Sequence, residues 1–134
     1  VGLAKARRLA QERGVSLQTV VADLADFSIA PGAWAGIVSI WCHLPSQLRA
    51  RVHGACVAGL RPGGVFLLEA YTPAQLQFDT GGPKDPDMLP TLAQLRAELA
   101  GLEVVLGTER EREVHEGAFH GGLSAVVQLV ARKP

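Results

Sequence analysis

Between residues 3 and 13 the apolar positions return at helical spacing. Leu3, Ala6, Leu9 and Ala10 share one face, with Lys5, Arg8 and Glu12 away from it. This period predicts a helix over Leu3–Arg13, and Gly14 stands where helices commonly end on a left-handed residue. The pattern then changes. Leu17–Ala22 is a short, valine-rich apolar run that stops at Asp23, which predicts a buried strand. Pro31 and Gly32 mark a loop, and Ala35–Trp41 predicts a second buried strand. Ser46 follows Pro45 as an expected N-cap, and the helix from Gln47 is expected to bury Leu48, Val52, Ala55 and Cys56. Arg61-Pro62-Gly63-Gly64 reads as a turn that feeds the chain into a third strand, Val65–Ala70.

Tyr71 to Pro90 contains Pro73, Gly81, Gly82, Pro83, Pro86 and Pro90, and is expected to be a functional lid or a disordered loop. Thr91 and Gln94 have the spacing of a capping box ahead of Leu92, Leu95 and Leu99. Glu103–Val114 begins apolar and then alternates Glu109-Arg110-Glu111-Arg112-Glu113, as suits a solvated edge strand. A turn with Gly117, Gly121 and Gly122 leads to the apolar run Ala125–Ala131, which completes an antiparallel hairpin. Val126 and Leu129 are expected on opposite faces of that strand, both covered. Strands alternating with helices and ending in a hairpin predict an α/β layered fold. Its sheet is expected to be mostly parallel, in one domain over residues 1–134.

Charge narrows the functional classes. The 134 residues carry 13 Lys and Arg against 13 Asp and Glu, which excludes binding of nucleic acid or anionic membranes by bulk charge. No apolar run is long enough to span a bilayer, and no secretory-type apolar core follows the N-terminal arginines. Two cysteines, Cys42 and Cys56, do not make a disulfide framework or a thiolate metal site. A cytoplasmic globular domain is the expectation. The chain starts at Val1 and its only methionine is Met88, which reads as a piece of a longer product.

In an open parallel sheet, ligands bind beyond the carboxyl ends of the strands. Those ends carry Asp23-Leu24, Trp41-Cys42-His43 and Glu69-Ala70-Tyr71. Asp23 suits either an acceptor for an exocyclic amine or a cap on local backbone N–H groups. His43 suits either substrate orientation or a structural hydrogen bond. Cys42 and His43, adjacent on an extended strand, point to opposite faces and do not form a nucleophile–base pair. His115 and His120 are five apart with glycines between them, which is not the spacing of a helical zinc motif. No metal ligand and no covalent catalytic residue is assigned.

Taken in order, these stretches resemble one family. Val21-Ala22-Asp23-Leu24-Ala25-Asp26-Phe27 resembles the post-strand acidic motif of class I S-adenosylmethionine-dependent methyltransferases. Gly36-Ile37-Val38-Ser39-Ile40-Trp41-Cys42-His43-Leu44-Pro45 resembles their fourth motif, and Leu60-Arg61-Pro62-Gly63-Gly64 the turn before their next strand. With Glu69-Ala70-Tyr71-Thr72-Pro73, Val114-His115-Glu116-Gly117 and the terminal hairpin, the chain is similar to the tellurite-resistance and thiopurine branch of that family.

The resemblance implies a Rossmann-like fold, S-adenosylmethionine as cofactor and a small-molecule methyl acceptor. It places Asp23 on the adenine amine, Leu24 at the adenine edge, and Ser39, Ile40 and Trp41 along the methionine portion. His43, Tyr71, His115 and His120 fall nearer the acceptor. Two departures stand out. Ala35 occupies a position that is usually acidic, and the glycine-rich loop and ribose-binding acid that precede a helix like Leu3–Arg13 in the family do not occur in these residues. On this reading the chain is the C-terminal portion of a methyltransferase domain, inactive in isolation. Its exposed sheet edge would pair in a homodimer. The alternative is a non-enzymatic binding or assembly module. A nicotinamide Rossmann dehydrogenase is disfavoured by the antiparallel hairpin.

Overall fold

The computed structural model describes residues 2–115 and 121–134. Its elements are α1 (Gly2–Glu12), β1 (Trp34–Ile40), α2 (Ser46–Gly59), β2 (Leu60–Tyr71), α3 (Leu92–Glu98), β3 (Glu103–His115) and β4 (Gly121–Arg132). The four strands form one sheet in the order β1-β2-β4-β3. β1 runs parallel to β2, and β4 runs antiparallel to both β2 and β3. The expected α/β layering and terminal hairpin are therefore both present. No described helix is long and apolar enough to cross a membrane.

Period-two alternation on β2 sets the core. Phe66, Leu68 and Ala70 point to the helical face and are buried, whereas Val65 and Leu67 on the other face stay exposed. In register with them on β4 stand Ala131, Leu129 and Val127, and Cys56, Leu95 and Leu99 from α2 and α3 close this layer. A second cluster lies on the opposite face, toward the carboxyl end of β2, where Val126, Val114 and Leu89 surround Tyr71. Val126 and Leu129 thus sit on opposite faces, both buried, as the seven-residue apolar run required.

The N-terminal third departs from expectation. α1 forms and ends at Gly14 with φ +64°, where Val15 N–H returns to the Ala10 carbonyl. Of its apolar stripe, however, only Ala10 is buried. The expected strand Leu17–Ala22 does not form: it pairs with no described strand, and Val21 is 88% exposed. Valine-rich sequence alone does not hold a strand, because its backbone groups need a neighbouring ladder.

α2 differs from its expected cap and buried stripe. The residue before it is Pro45, with no side-chain cap. Instead the Ser46 N–H donates to the Asp87 carboxylate at 2.8 Å, a remote anion at the helix N-terminus. Both hydrogen bonds from Ser46 hold the Asp87 carboxyl below its ordinary range. The helix buries Arg49, His53, Cys56 and Gly59, while Leu48, Val52 and Ala55 are only half-buried. The stripe is rotated because an ion-pair network, described below, occupies the α2–α3 interface. Residues 71–90, expected as a lid or disordered loop, contain two 3-10 turns, Pro73–Gln77 and Pro86–Met88. The Thr91–Gln94 capping box forms as the spacing indicated.

Candidate functional site

β1 and β2 end side by side, and their last residues converge. Trp41 leaves β1 with φ +54°, a left-handed conformation that costs an aromatic residue about 1–2 kcal/mol. Its own N–H still bonds the Glu69 carbonyl at 3.0 Å, so the turn begins while the strand is pinned to β2. The turn swings the indole onto Tyr71, with ring centroids 4.6 Å apart. His43 joins the stack, 5.4 Å from Tyr71 and 6.3 Å from Trp41. The Tyr71 backbone N–H donates to His43 Nε2 at 3.1 Å, which assigns the imidazole proton to Nδ1. Three of the residues expected at a ligand site are therefore in mutual contact.

Charged residues border the stack. The Arg112 guanidinium lies 5.9 Å from the Trp41 ring centroid and forms an ion pair with Glu69 at 2.7 Å. Gln128 donates to the same Glu69 oxygen at 3.1 Å. Trp41 Nε1 is buried and has no hydrogen-bond partner among the described residues. A wall is supplied by the segment after β2, where the fully buried Gln75 accepts the Ala125 N–H at 2.8 Å. Its amide donates to Thr80 Oγ1 and the Gly81 carbonyl. Gly82, with φ +87°, lies so close to the Tyr71 ring that an added Cβ would stand 2.7 Å from Cδ2.

The remaining sequence-derived site residues lie elsewhere. Asp23 is exposed and its carboxylate accepts the Ala25 N–H at 2.8 Å, the local capping role that was one of its two readings. Leu24 lines a cleft of about 340 Å³ with Phe27, Ile29, Arg51 and Val52, and Arg51 ties the loop down through the Ala25 carbonyl. Ser39, Ile40 and Trp41 do not line that cleft. Ile40 shares the Glu69 face of the sheet, while Ser39, the next residue back, faces the helices and hydrogen-bonds Cys42. Burial raises the Cys42 thiol pKa against that bond and pushes the Cys56 thiol up to about 11, so both thiols are neutral at physiological pH. His115 is exposed at the end of β3, and His120 lies outside the described residues.

Sequence patterning passed over Arg112 and Gln128, and it placed Glu69 at a strand end without giving it a role. A signal was present: Glu69 is a lone charge in an apolar strand, and period two puts Arg110 and Arg112 on one face of β3.

No protein-family model and no curated protein matches the sequence. Solved structures do match. TehB from Haemophilus influenzae superposes with a TM-score of 0.73 at 16% identity, over 98% of this chain and 46% of that one. A SAM-dependent methyltransferase from Methanosarcina mazei gives 0.67 at 16% identity, over 96% of this chain and 75% of that one. The fold is that of the S-adenosylmethionine-dependent methyltransferases. The [4+2]-cyclase SpnF shares it, with a TM-score of 0.64 at 18% identity over 98% of this chain and 62% of that one. The methyltransferase fold thus extends to a protein named for a cyclisation, so chemistry must be argued from the site. The chain spans about half to three quarters of the length of these neighbours.

Proposed function

We propose that the protein carries the acceptor side of a S-adenosylmethionine-dependent methyltransferase that acts on a small molecule. The observation that carries this reading is Trp41, held in a strained conformation at the carboxyl end of β1 with a buried indole N–H that has no partner among the described residues. Unsatisfied buried donors are rare in native proteins, and one beside a cation suits a ligand that brings a carboxylate. The methionine portion of the cofactor is such a group, so the residues present fit it. Leu24 and its cleft are assigned to the adenine, with Asp23 beside it, and Ile40 and Trp41, at the Glu69 side of the sheet, to the methionine portion, whereas the Ser39 side chain faces the helices. His43, Tyr71, His115 and His120 are assigned to the acceptor. Bound cofactor supplies a sulfonium methyl that is already activated for transfer. The chain's own work is then to align the acceptor and exclude water, and the packed rings and the Gly82 wall suit both tasks. No covalent catalytic residue is required.

Calorimetry with S-adenosylhomocysteine tests the reading, on the 134-residue chain and on a chain extended upstream. Binding in the extended chain that weakens about tenfold in Trp41→Phe, which keeps an aromatic ring but removes the indole N–H, supports it. An extended, folded chain that binds no S-adenosylhomocysteine overturns it in favour of a non-enzymatic binding or assembly module.

A further inference from the structure

The buried guanidinium of Arg49 is spent in two directions. Nε lies 3.1 Å from both Glu98 oxygens and Nη2 3.0 Å from one of them, so this side is fixed to α3. Nη1 donates to two backbone carbonyls, Leu44 at 3.3 Å and Asp87 at 3.0 Å. Both carbonyls belong to turns that lead to Tyr71. Leu44 follows His43, whose Nε2 accepts the Tyr71 N–H. Asp87 stands two residues before Leu89, which packs in the Tyr71 cluster. The same two turns are joined a second time, by the Ser46 N–H on the Asp87 carboxylate at 2.8 Å.

This clamp has a fixed frame. Cys56, Leu95 and Leu99 seat α2 and α3 on the sheet, so Arg49 and Glu98 keep their places relative to β2. The planar guanidinium then sets directions as well as distances, because its N–H bonds diverge at fixed angles. An ammonium in its place is a compact point charge and cannot face a carboxylate edge-on while meeting two carbonyls. A buried ion pair adds little stability beside well-packed apolar side chains of similar volume. What this one supplies is direction. We propose that Arg49 is a positioning residue for the acceptor side of the candidate site, a role that rests on the acceptor reading of His43 and Tyr71 given above. It holds the turn after His43 and the turn before Leu89 at one separation, and through them sets how His43 and Leu89 pack against Tyr71.

Amide hydrogen exchange on the 134-residue chain tests the proposal by comparing two amides of β2. The Tyr71 amide reports its bond to His43, and the Phe66 amide, in mid-strand, reports opening of the sheet. In Arg49→Lys, which keeps the charge and loses the fork, Tyr71 exchange should rise at least about tenfold more than Phe66 exchange. Leu129→Ala, a core truncation opposite Leu68, should accelerate both amides alike. Asp87→Ala, at an exposed position, removes the second tie and should move Tyr71 the same way by a smaller factor. That variant decides should Arg49→Lys fail to fold. Equal acceleration of Tyr71 and Phe66 overturns the proposal and leaves Arg49 a structural ion pair. In the upstream-extended chain, Arg49→Lys should keep S-adenosylhomocysteine affinity within about twofold, because Trp41 is pinned separately through the Glu69 carbonyl. A loss of about tenfold would overturn the restriction to the acceptor side. Absence of binding in the unaltered extended chain would instead overturn the acceptor reading itself, even where the exchange difference is found.

Discussion

Arg49 and Glu98 meet between α2 and α3 with Nη2 3.0 Å from Oε1, the guanidinium only 3% and the carboxylate 12% exposed. The other carboxylate oxygen takes His53 Nδ1 at 2.8 Å. Arg49 Nη1 also donates to the Leu44 carbonyl and, at 3.0 Å, to the Asp87 carbonyl. One buried cation thus joins both helices to the turn after His43 and to the turn that caps α2. Removing one member of a buried pair strands the other charge, so Glu98→Ala should destabilise the chain by about 3–5 kcal/mol. Glu98→Gln, which keeps the acceptor oxygen, should lose less. Urea denaturation of the two variants separates the outcomes, and equal losses would show that the charge is immaterial.

Stability should fall on mild acidification. Burial depresses the His53 pKa below its ordinary 6.5, the hydrogen bond and charge of Glu98 oppose this, and the charge of Arg49 adds to the depression. The unfolded chain therefore binds this proton more readily than the folded one. The stability tied to neutral His53 is complete above about pH 6.5 and is lost as pH falls toward the lower folded value. Denaturation midpoints between about pH 8 and about pH 5 should decline, and His53→Gln should flatten the decline. An identical slope in the variant would assign the effect to another group.

Gly82→Ala should disturb the candidate site more than its size suggests. Its φ of +87° disfavours any side chain, and the new methyl would meet the Tyr71 ring. A loss of about 1–3 kcal/mol is expected, together with a changed near-ultraviolet signal from the Trp41–Tyr71 pair. An unaltered spectrum would mean that the Gly82 wall does not bear on the rings.

Val127 is fully buried in the middle of β4. Val127→Asp places an unpaired carboxylate there, at a cost of several kcal/mol against a total stability of about 5–15 kcal/mol. The variant should be unfolded by circular dichroism. A cooperative melt would contradict the burial of this strand on both faces.

Asp23→Ala should cost an upstream-extended, cofactor-competent chain about 1–2 kcal/mol of S-adenosylhomocysteine affinity, through one lost polar contact. Unchanged affinity in calorimetry would restrict Asp23 to holding the Ala25 N–H.

Much of this architecture was legible in local pattern. The capping box at Thr91 and the hairpin depend on residues close in sequence, so spacing alone located them. Residues at the carboxyl ends of strands were legible for a related reason. A polar or aromatic residue directly after an apolar run sits at the sheet margin wherever that run forms a strand, as around Trp41, His43 and Tyr71 but not at Asp23. The pairing of Glu69 with Arg112 was not legible because it spans 43 positions, and an arginine in a Glu-Arg alternation looks solvated until register brings a carboxylate to it.

By itself, then, the sequence determined the α/β order of elements over residues 34–132, the opposite faces of Val126 and Leu129 on β4, and the ends of the strands as the place for chemistry. Each follows from a periodicity that the backbone geometry imposes on its own residues. Only the tertiary structure decided that Arg49 and His53 enter the α2–α3 interface, that Asp87 caps a helix 41 positions away, and that Leu17–Ala22 remains unpaired. Those outcomes depend on which distant groups arrive to satisfy a charge, a helix N–H or a strand edge, and local periodicity carries no information about the arrival of a partner.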